Sequence, residues 1–569
     1  FGSQWLANAG STYEIEQSIR FNYVDDPSLT IDYGSAGNRR TYTYSVWLKR
    51  SNFGSFNMGL FGSGADQDNR LYLRINTALQ FVDVTGGEVP FNVKTNAVLR
   101  DCSSWYHVVL AVDTTDATAS NRVKIYINGT LQTSLATASY PTENLETRIN
   151  STDDHYISLI NNAGTSEYDG YMAEINFIDG TQAAATAFGE TNAKGQWVPI
   201  EFKGTYGSNG FYLKGQDSSA LGDDSSGNGN DWTTSNLAAN DQMSDSPTNN
   251  WCTLSSLDAV GPTLNNGNLG LDGTSSAAWL TARATMSIPS TGKWYWECIA
   301  TTSSNAAGEP NFGIVADTVN TQVADWLQDP LAYAYTTRSD TVINNDYLGT
   351  SRGTYNGGNV LQIAYDADTG KLHFGIQNSW INGGDPADGS DPDFTTSTTP
   401  TFLPYVAIYN NKTGSINFGQ SAFAYTPPTG FLALNSANLP APAIADPSAY
   451  FQTTLYTGDG VAIGSGGLEV NQSENSTFQP DLVWIKQRES PAASHEVFDA
   501  IRGATKDLNT NTNEAETTFS EKLTSFDADG FTVGNNGNVN TLNKDYVAWQ
   551  WNEGATPGFD IVSYTGNAT

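Results

Sequence analysis

The chain has 569 residues and a formal net charge of −33 at pH 7. That length exceeds one hydrophobic core and predicts roughly three or four domains, while the acidic balance disfavours nucleic acid and anionic membrane surfaces, which are bound by basic stripes. Helical 3.6-residue periodicity is missing, and aromatic and β-branched residues recur among many Gly, Asn, Ser and Thr, so long disorder is excluded and short strands joined by polar turns are expected.

Residues 1–215 alternate strand-like runs with turns, as an antiparallel β-sandwich would. The runs include Ser45-Val-Trp-Leu-Lys49, Trp105-Tyr-His107, Lys124-Ile-Tyr-Ile-Asn-Gly129 and Gly170-Tyr-Met-Ala-Glu174, with Asn128-Gly129 as a tight-turn signal. In this order the phrases resemble the laminin-G/concanavalin-A-like jelly roll. Glu174-Ile-Asn-Phe-Ile-Asp179 also resembles the catalytic strand of laminarinase-type glycoside hydrolases, but Asn176 replaces the central Asp and Asp179 the last Glu. On a regular strand Glu174 and Asp179 point to opposite faces, so without a bulge they are not expected to share one glycosidic bond. His107 sits among apolar neighbours and reads as a hydrogen-bonded structural histidine.

Residues 216–256 are rich in Gly, Asn and Asp and are expected to be a linker. Within them Asp223, Asp224, Asn228, Asn230 and Asp231 resemble a loop common near the start of laminin-G-like domains. Their oxygens, with freed carbonyls, suit Ca²⁺; the alternative is an Asx-rich turn. The bidentate Glu of an EF-hand is absent.

Residues 257–432 carry Gly292-Lys-Trp-Tyr-Trp-Glu297, Asn311-Phe-Gly-Ile-Val315, a strand running into Asp366-Ala-Asp-Thr-Gly370, and Gly414-Ser-Ile-Asn-Phe-Gly419. These blocks resemble a SPRY domain in the right order, which implies a non-catalytic binding module with its ligands on loops. An insert over residues 377–396 departs from that pattern. It supplies Trp380, able to stack on a sugar ring or to plug the core, and Asp385, Asp388, Asp391 and Asp393 as candidate cation or ligand groups.

Residues 433–557 include Asp481-Leu-Val-Trp-Ile-Lys-Gln-Arg488, His495-Glu-Val-Phe-Asp499 and Tyr546-Val-Ala-Trp-Gln-Trp551. Their wording resembles a β-module of virion proteins of tailed bacteriophages, many of them marine. Residues 558–569 repeat the module's opening: Phe451, four residues, then Tyr456-Thr-Gly-Asp459 returns as Phe559, four residues, then Tyr564-Thr-Gly-Asn567. A further, truncated repeat in a longer chain is expected.

Cys102, Cys252 and Cys298 are far apart and spell neither a disulfide framework nor a zinc site. No apolar run reaches transmembrane length. The sequence therefore predicts an all-β chain of tandem antiparallel sandwiches without catalysis. The resemblances imply a virion appendage, a tail-fibre or capsid-fibre component, that meets other virion proteins and host-surface glycans or proteins. By analogy with fibres it would be a homo-oligomer, a trimer. A structural decoration protein, a secreted bacterial adhesin and a glycan-cleaving enzyme are the competing readings.

Overall fold

A computed structural model describes residues 13–566 except 54–56, 162–165, 193, 274–278, 301–309, 322–328, 338–340, 345–346, 349–353, 398, 410, 443, 474–475 and 490–492. Among the described residues the protein is all-β, and its helical segments are single 3-10 turns. The chain divides into two compact units. One runs to Pro440 without Thr191–Gln196, and the other comprises Ala441–Thr569 with Thr191–Gln196.

The first sandwich stacks two eight-stranded sheets. At the centre of its front sheet, Thr41–Arg50 lies between Trp105–Asp113 and Gly170–Asp179. Tyr42, Tyr44, Val46 and Leu48 point into the intersheet core with Met172, Ile175 and Phe177. The opposite side of a sandwich sheet usually faces water. Here Ser45, Trp47 and Lys49 are buried as well, because the chain folds back over that face. Ala185 and Phe188, with Trp197, Phe202 and Tyr206, pack on Val109 and Ile178.

Residues 216–256 are structural rather than a linker. Thr233–Ser235 extends the back sheet beside Ser28–Ile31, and Gln242–Met243 extends the front sheet beside Ser18–Phe21. Trp232 is inserted against Phe61 and Phe211. Cys252 and Leu254 already belong to the core of the next sandwich. A few widely spaced apolar anchors fix this otherwise polar stretch, which is why its composition reads as a connector.

The second sandwich pairs a nine-stranded with a six-stranded sheet. Its core of Trp294, Trp296, Phe312, Phe374 and Phe418 is continuous with Trp47, Trp105 and Tyr171 of the first sandwich. At the joint Lys49 is 1% and Asp245 0% exposed on their side chains, 2.7 Å apart. Lys49 also donates to Asn250 Oδ1 and to the Trp251 carbonyl, both at 2.8 Å, while Trp105 Nε1 donates to Asp245 at 3.0 Å. A buried ion pair persists only with such additional partners. Leu432–Ala433 pairs in parallel with Lys293–Ala300, so the expected boundary at 433 moves to the Pro-rich crossover.

The C-terminal unit has a six-stranded sheet, in the order Phe451–Thr457, Asp545–Trp551, Leu482–Gln487, Glu496–Asp499, Lys506–Asn509 and Thr517–Thr518. A three-stranded sheet is made of Leu468–Asn471, Gly530–Val533 and Leu523–Asp527. Alternate residues such as Val483, Ile485, Phe531, Tyr546 and Ala548 fill the core. Phe559 packs on Trp551, so the start of the repeated phrase is attached to this unit.

Candidate functional site

The front-sheet strand Gly170–Asp179 carries Glu174 and Asp179, the two carboxylates that a hydrolase reading would need. Between Ala173 and Asn176 the strand carries extra residue relative to Thr41–Arg50, and Glu174 takes a φ of 51°. Such a bulge re-aims side chains. Glu174 is 9% exposed and accepts hydrogen bonds from Tyr212 Oη at 2.5 Å and Tyr13 Oη at 2.9 Å. Burial raises its carboxyl above the ordinary range, against the pull of the two phenols. Asp179 has other partners: Asn38 N at 2.8 Å, Asn150 Nδ2 at 2.6 Å and Asn209 N at 3.2 Å. Even with the bulge, the two carboxylates lie in separate hydrogen-bond networks. His107 stacks between Trp47 and Trp197, engages Ser45 Oγ at 2.8 Å, and accepts from Trp197 Nε1 at 3.0 Å. Burial pushes its pKa down to about 3, which keeps it neutral.

The insert of the second sandwich lies on the outer face of the nine-stranded sheet. Ser379–Trp380 pairs with Gly375–Ile376, and the half-buried indole packs with Tyr295, Ala364 and Phe431. A Cβ on Gly375 would lie 2.9 Å from that indole, so the strand has been hollowed to seat it. The acidic turn folds across the same face. Lys371 Nζ donates to the Gly389 carbonyl at 2.7 Å, and His373 Nε2 lies 3.0 Å from the Ser390 carbonyl. Asp385 accepts from Ala387 N and Asp388 from Ser390 N, both at 2.8 Å, and Asp393 accepts from Phe374 N at 2.8 Å. Asp391 holds a φ of 42° in the turn. Ser390 keeps the Asp388 carboxyl below its ordinary value. The structure thus brings Trp380 and the acidic turn to one face, with Asp385 and Asp388 closing local turns and Asp393 tied back to the strand at Phe374.

The loop with Asp223, Asp224, Asn228, Asn230 and Asp231 closes on itself. Asp224 accepts from Tyr212 N, Ser226 N, Ser226 Oγ and Asn230 N between 2.7 and 3.0 Å. Asp231 accepts from Asp224 N at 2.8 Å. The side chains of Asn228 and Asn230 both donate to the Gly210 carbonyl at 2.8 Å. Asp223 is exposed beside a polar hollow of 480 Å³ with Asp217 and Gln242. Among the described residues no group of three or more His, Cys, Asp or Glu is arranged to hold a metal ion.

A larger concavity, of 860 Å³, opens between the two sandwiches. The first contributes Val98, Asp101 and Tyr106, and the second contributes Leu257, Arg283 and Ser287. Sequence reading missed it, because its wall is assembled from segments near residues 100, 256, 285 and 402, which only the fold brings together.

A family model described as the concanavalin A-like lectin/glucanases superfamily matches residues 25–186. Over those residues the first sandwich is concanavalin A-like. A domain of unknown function, DUF7483, matches residues 446–569. No curated protein matches the chain. Among solved structures the chain is similar to the SPRY domain of human HERC1, at 14% identity, covering 29% of this chain and 96% of that one, with a TM-score of 0.24. It is also similar to a protein from Bacteroides ovatus to which carbohydrate binding is attributed, at 16% identity over 39% of this chain and 58% of that one, TM-score 0.27. A third is a heptameric SAP-like pentraxin from Limulus polyphemus, at 14% identity over 29% and 77%, TM-score 0.22.

Proposed function

We propose that this chain is a non-catalytic recognition protein that binds carbohydrate through its lectin-type and adjoining sandwiches, as a surface or appendage component of a tailed-phage particle. The observation that carries the binding half is the match to the concanavalin A-like lectin/glucanases superfamily over residues 25–186. The wording of residues 481–551 supports the virion half by resemblance. Two features support binding without hydrolysis. The face around Glu174 is covered by its own chain, and Glu174 and Asp179 have separate partners, whereas glycoside hydrolysis needs two carboxyl groups flanking one bond. Weak single sites would be strengthened by repetition in a homo-oligomer.

The test is a glycan array probed with the full chain, once with Ca²⁺ and once with chelator, alongside an assay for released reducing ends. Reproducible binding with intact glycans is the expected result. Silence under both conditions, or cleavage of a bound glycan, overturns the reading.

A further inference from the structure

We propose that the cleft between the two sandwiches is the saccharide site, and that it takes a neutral glycan. The inference rests on the recognition reading above and goes further by naming the place and the ligand class. Three observations lead to it.

The first is size and position. At 860 Å³ the cleft falls in the range of small-ligand sites, roughly 300–1,000 Å³, and such sites favour domain junctions. The shared core holds its two walls in fixed register, so little ordering is left for binding to oppose.

The second is that the polar groups are already oriented. Arg283 forms a two-pronged pair with Asp258, Nε to Oδ2 at 2.6 Å and Nη2 to Oδ1 at 2.7 Å, and its Nη1 donates to the Asp317 carbonyl at 3.2 Å. Asp101 accepts from Ser103 N at 2.8 Å and from Ser104 Oγ at 2.8 Å, while its own N–H donates to Tyr106 Oη at 3.0 Å. Such locked networks present fixed hydrogen-bonding edges to ligand hydroxyls. The Ser287 and Thr401 side chains add exposed hydroxyls at the mouth.

The third is the balance of charge and apolar surface. Two guanidiniums, Arg100 and Arg283, meet three carboxylates, Asp101, Asp258 and Asp317. That disfavours sulfated or sialylated ligands, as does the −33 charge of the whole chain. Leu257 is 62% exposed and Val98 44% exposed at the rim, where they can cover the C–H face of a sugar ring. A wholly apolar ligand would leave the polar wall unpaired.

The experiment compares the full-length chain with L257W and S287W, each of which puts an indole into the cleft from an exposed position, and with L455W as a control that puts the same indole on an exposed position of the C-terminal unit. Thermal melts confirm that all four fold alike. Neutral glycans identified on the array are expected to bind wild type and L455W equally and to lose about tenfold or more in affinity with either cleft variant. Unchanged affinity in both cleft variants overturns the cleft as the site and leaves the recognition function standing. Binding confined to sulfated or sialylated glycans overturns the ligand class. Failure of the wild-type chain to bind any glycan overturns both.

Discussion

Lys522 of the C-terminal unit lies between Glu496 at 2.5 Å and Asp507 at 2.6 Å, and all three side chains are at most 4% exposed. Asn538 Nδ2 adds a 2.6 Å bond to Glu496. One ammonium cannot neutralise two buried carboxylates, so burial and the Asp507 neighbour raise the Glu496 pKa to about 7. Folding therefore favours a proton on the pair. The associated stability is fully present below the ordinary carboxylate pKa and is lost as pH rises through about 7. Native-state hydrogen exchange of Glu496–Asp499 should show weaker protection at pH 8 than at pH 5, and Glu496→Gln should flatten that slope. A slope unchanged by E496Q would place the titration elsewhere. Lys522→Met should cost about 3–5 kcal/mol at neutral pH, because it strands buried carboxylate charge; the denaturation midpoint of the C-terminal unit reads it. None of this was legible in the sequence, where the three residues sit in unrelated polar phrases. His107 was legible, because its apolar neighbours in the strand announced burial, and burial makes it neutral.

At the scale of elements, strands were readable wherever side chains alternate, and the polar loops were not. The loop over residues 223–231 has the residue types of a Ca²⁺ site and of an Asx turn alike. Composition cannot say whether its oxygens face a cation or its own N–H groups. In the fold Asp224 receives four hydrogen bonds from the chain, so Asp224→Ala should destabilise the first unit by about 2–4 kcal/mol, at roughly 1 kcal/mol for each bond lost, read by thermal melting. A cation bound only by the folded state would raise the melting midpoint by mass action. Melting wild type in Ca²⁺ and in chelator separates the two readings: equal midpoints assign the loop as an Asx turn, and a rise with Ca²⁺ assigns it as the cation site. The insert with Trp380 shows the same limit. The indole read equally as a sugar-stacking platform and as a core plug, and Gly375, which makes room for it, gave no sign of doing so.

For the molecule as a whole, the tandem order of sandwiches was legible and their fusion was not. Lys49 ends the phrase Ser45-Val-Trp-Leu-Lys49, which gives no sign of a partner, yet it is buried against Asp245 from the stretch expected to be a linker. The proposed cleft depends on that fusion, since its walls belong to different sandwiches. If the continuous core of Trp47, Trp105, Tyr171, Trp294 and Trp296 makes the pair one cooperative body, damage at the joint must spread to both. Lys49→Met leaves Asp245 buried without its partner, at a cost of about 3–5 kcal/mol. In this variant hydrogen exchange should accelerate together in Thr41–Arg50 of the first sandwich and Lys293–Ala300 of the second. Acceleration confined to the first would mean that the sandwiches unfold independently, and the cleft would then lack the fixed walls that its ligand requires.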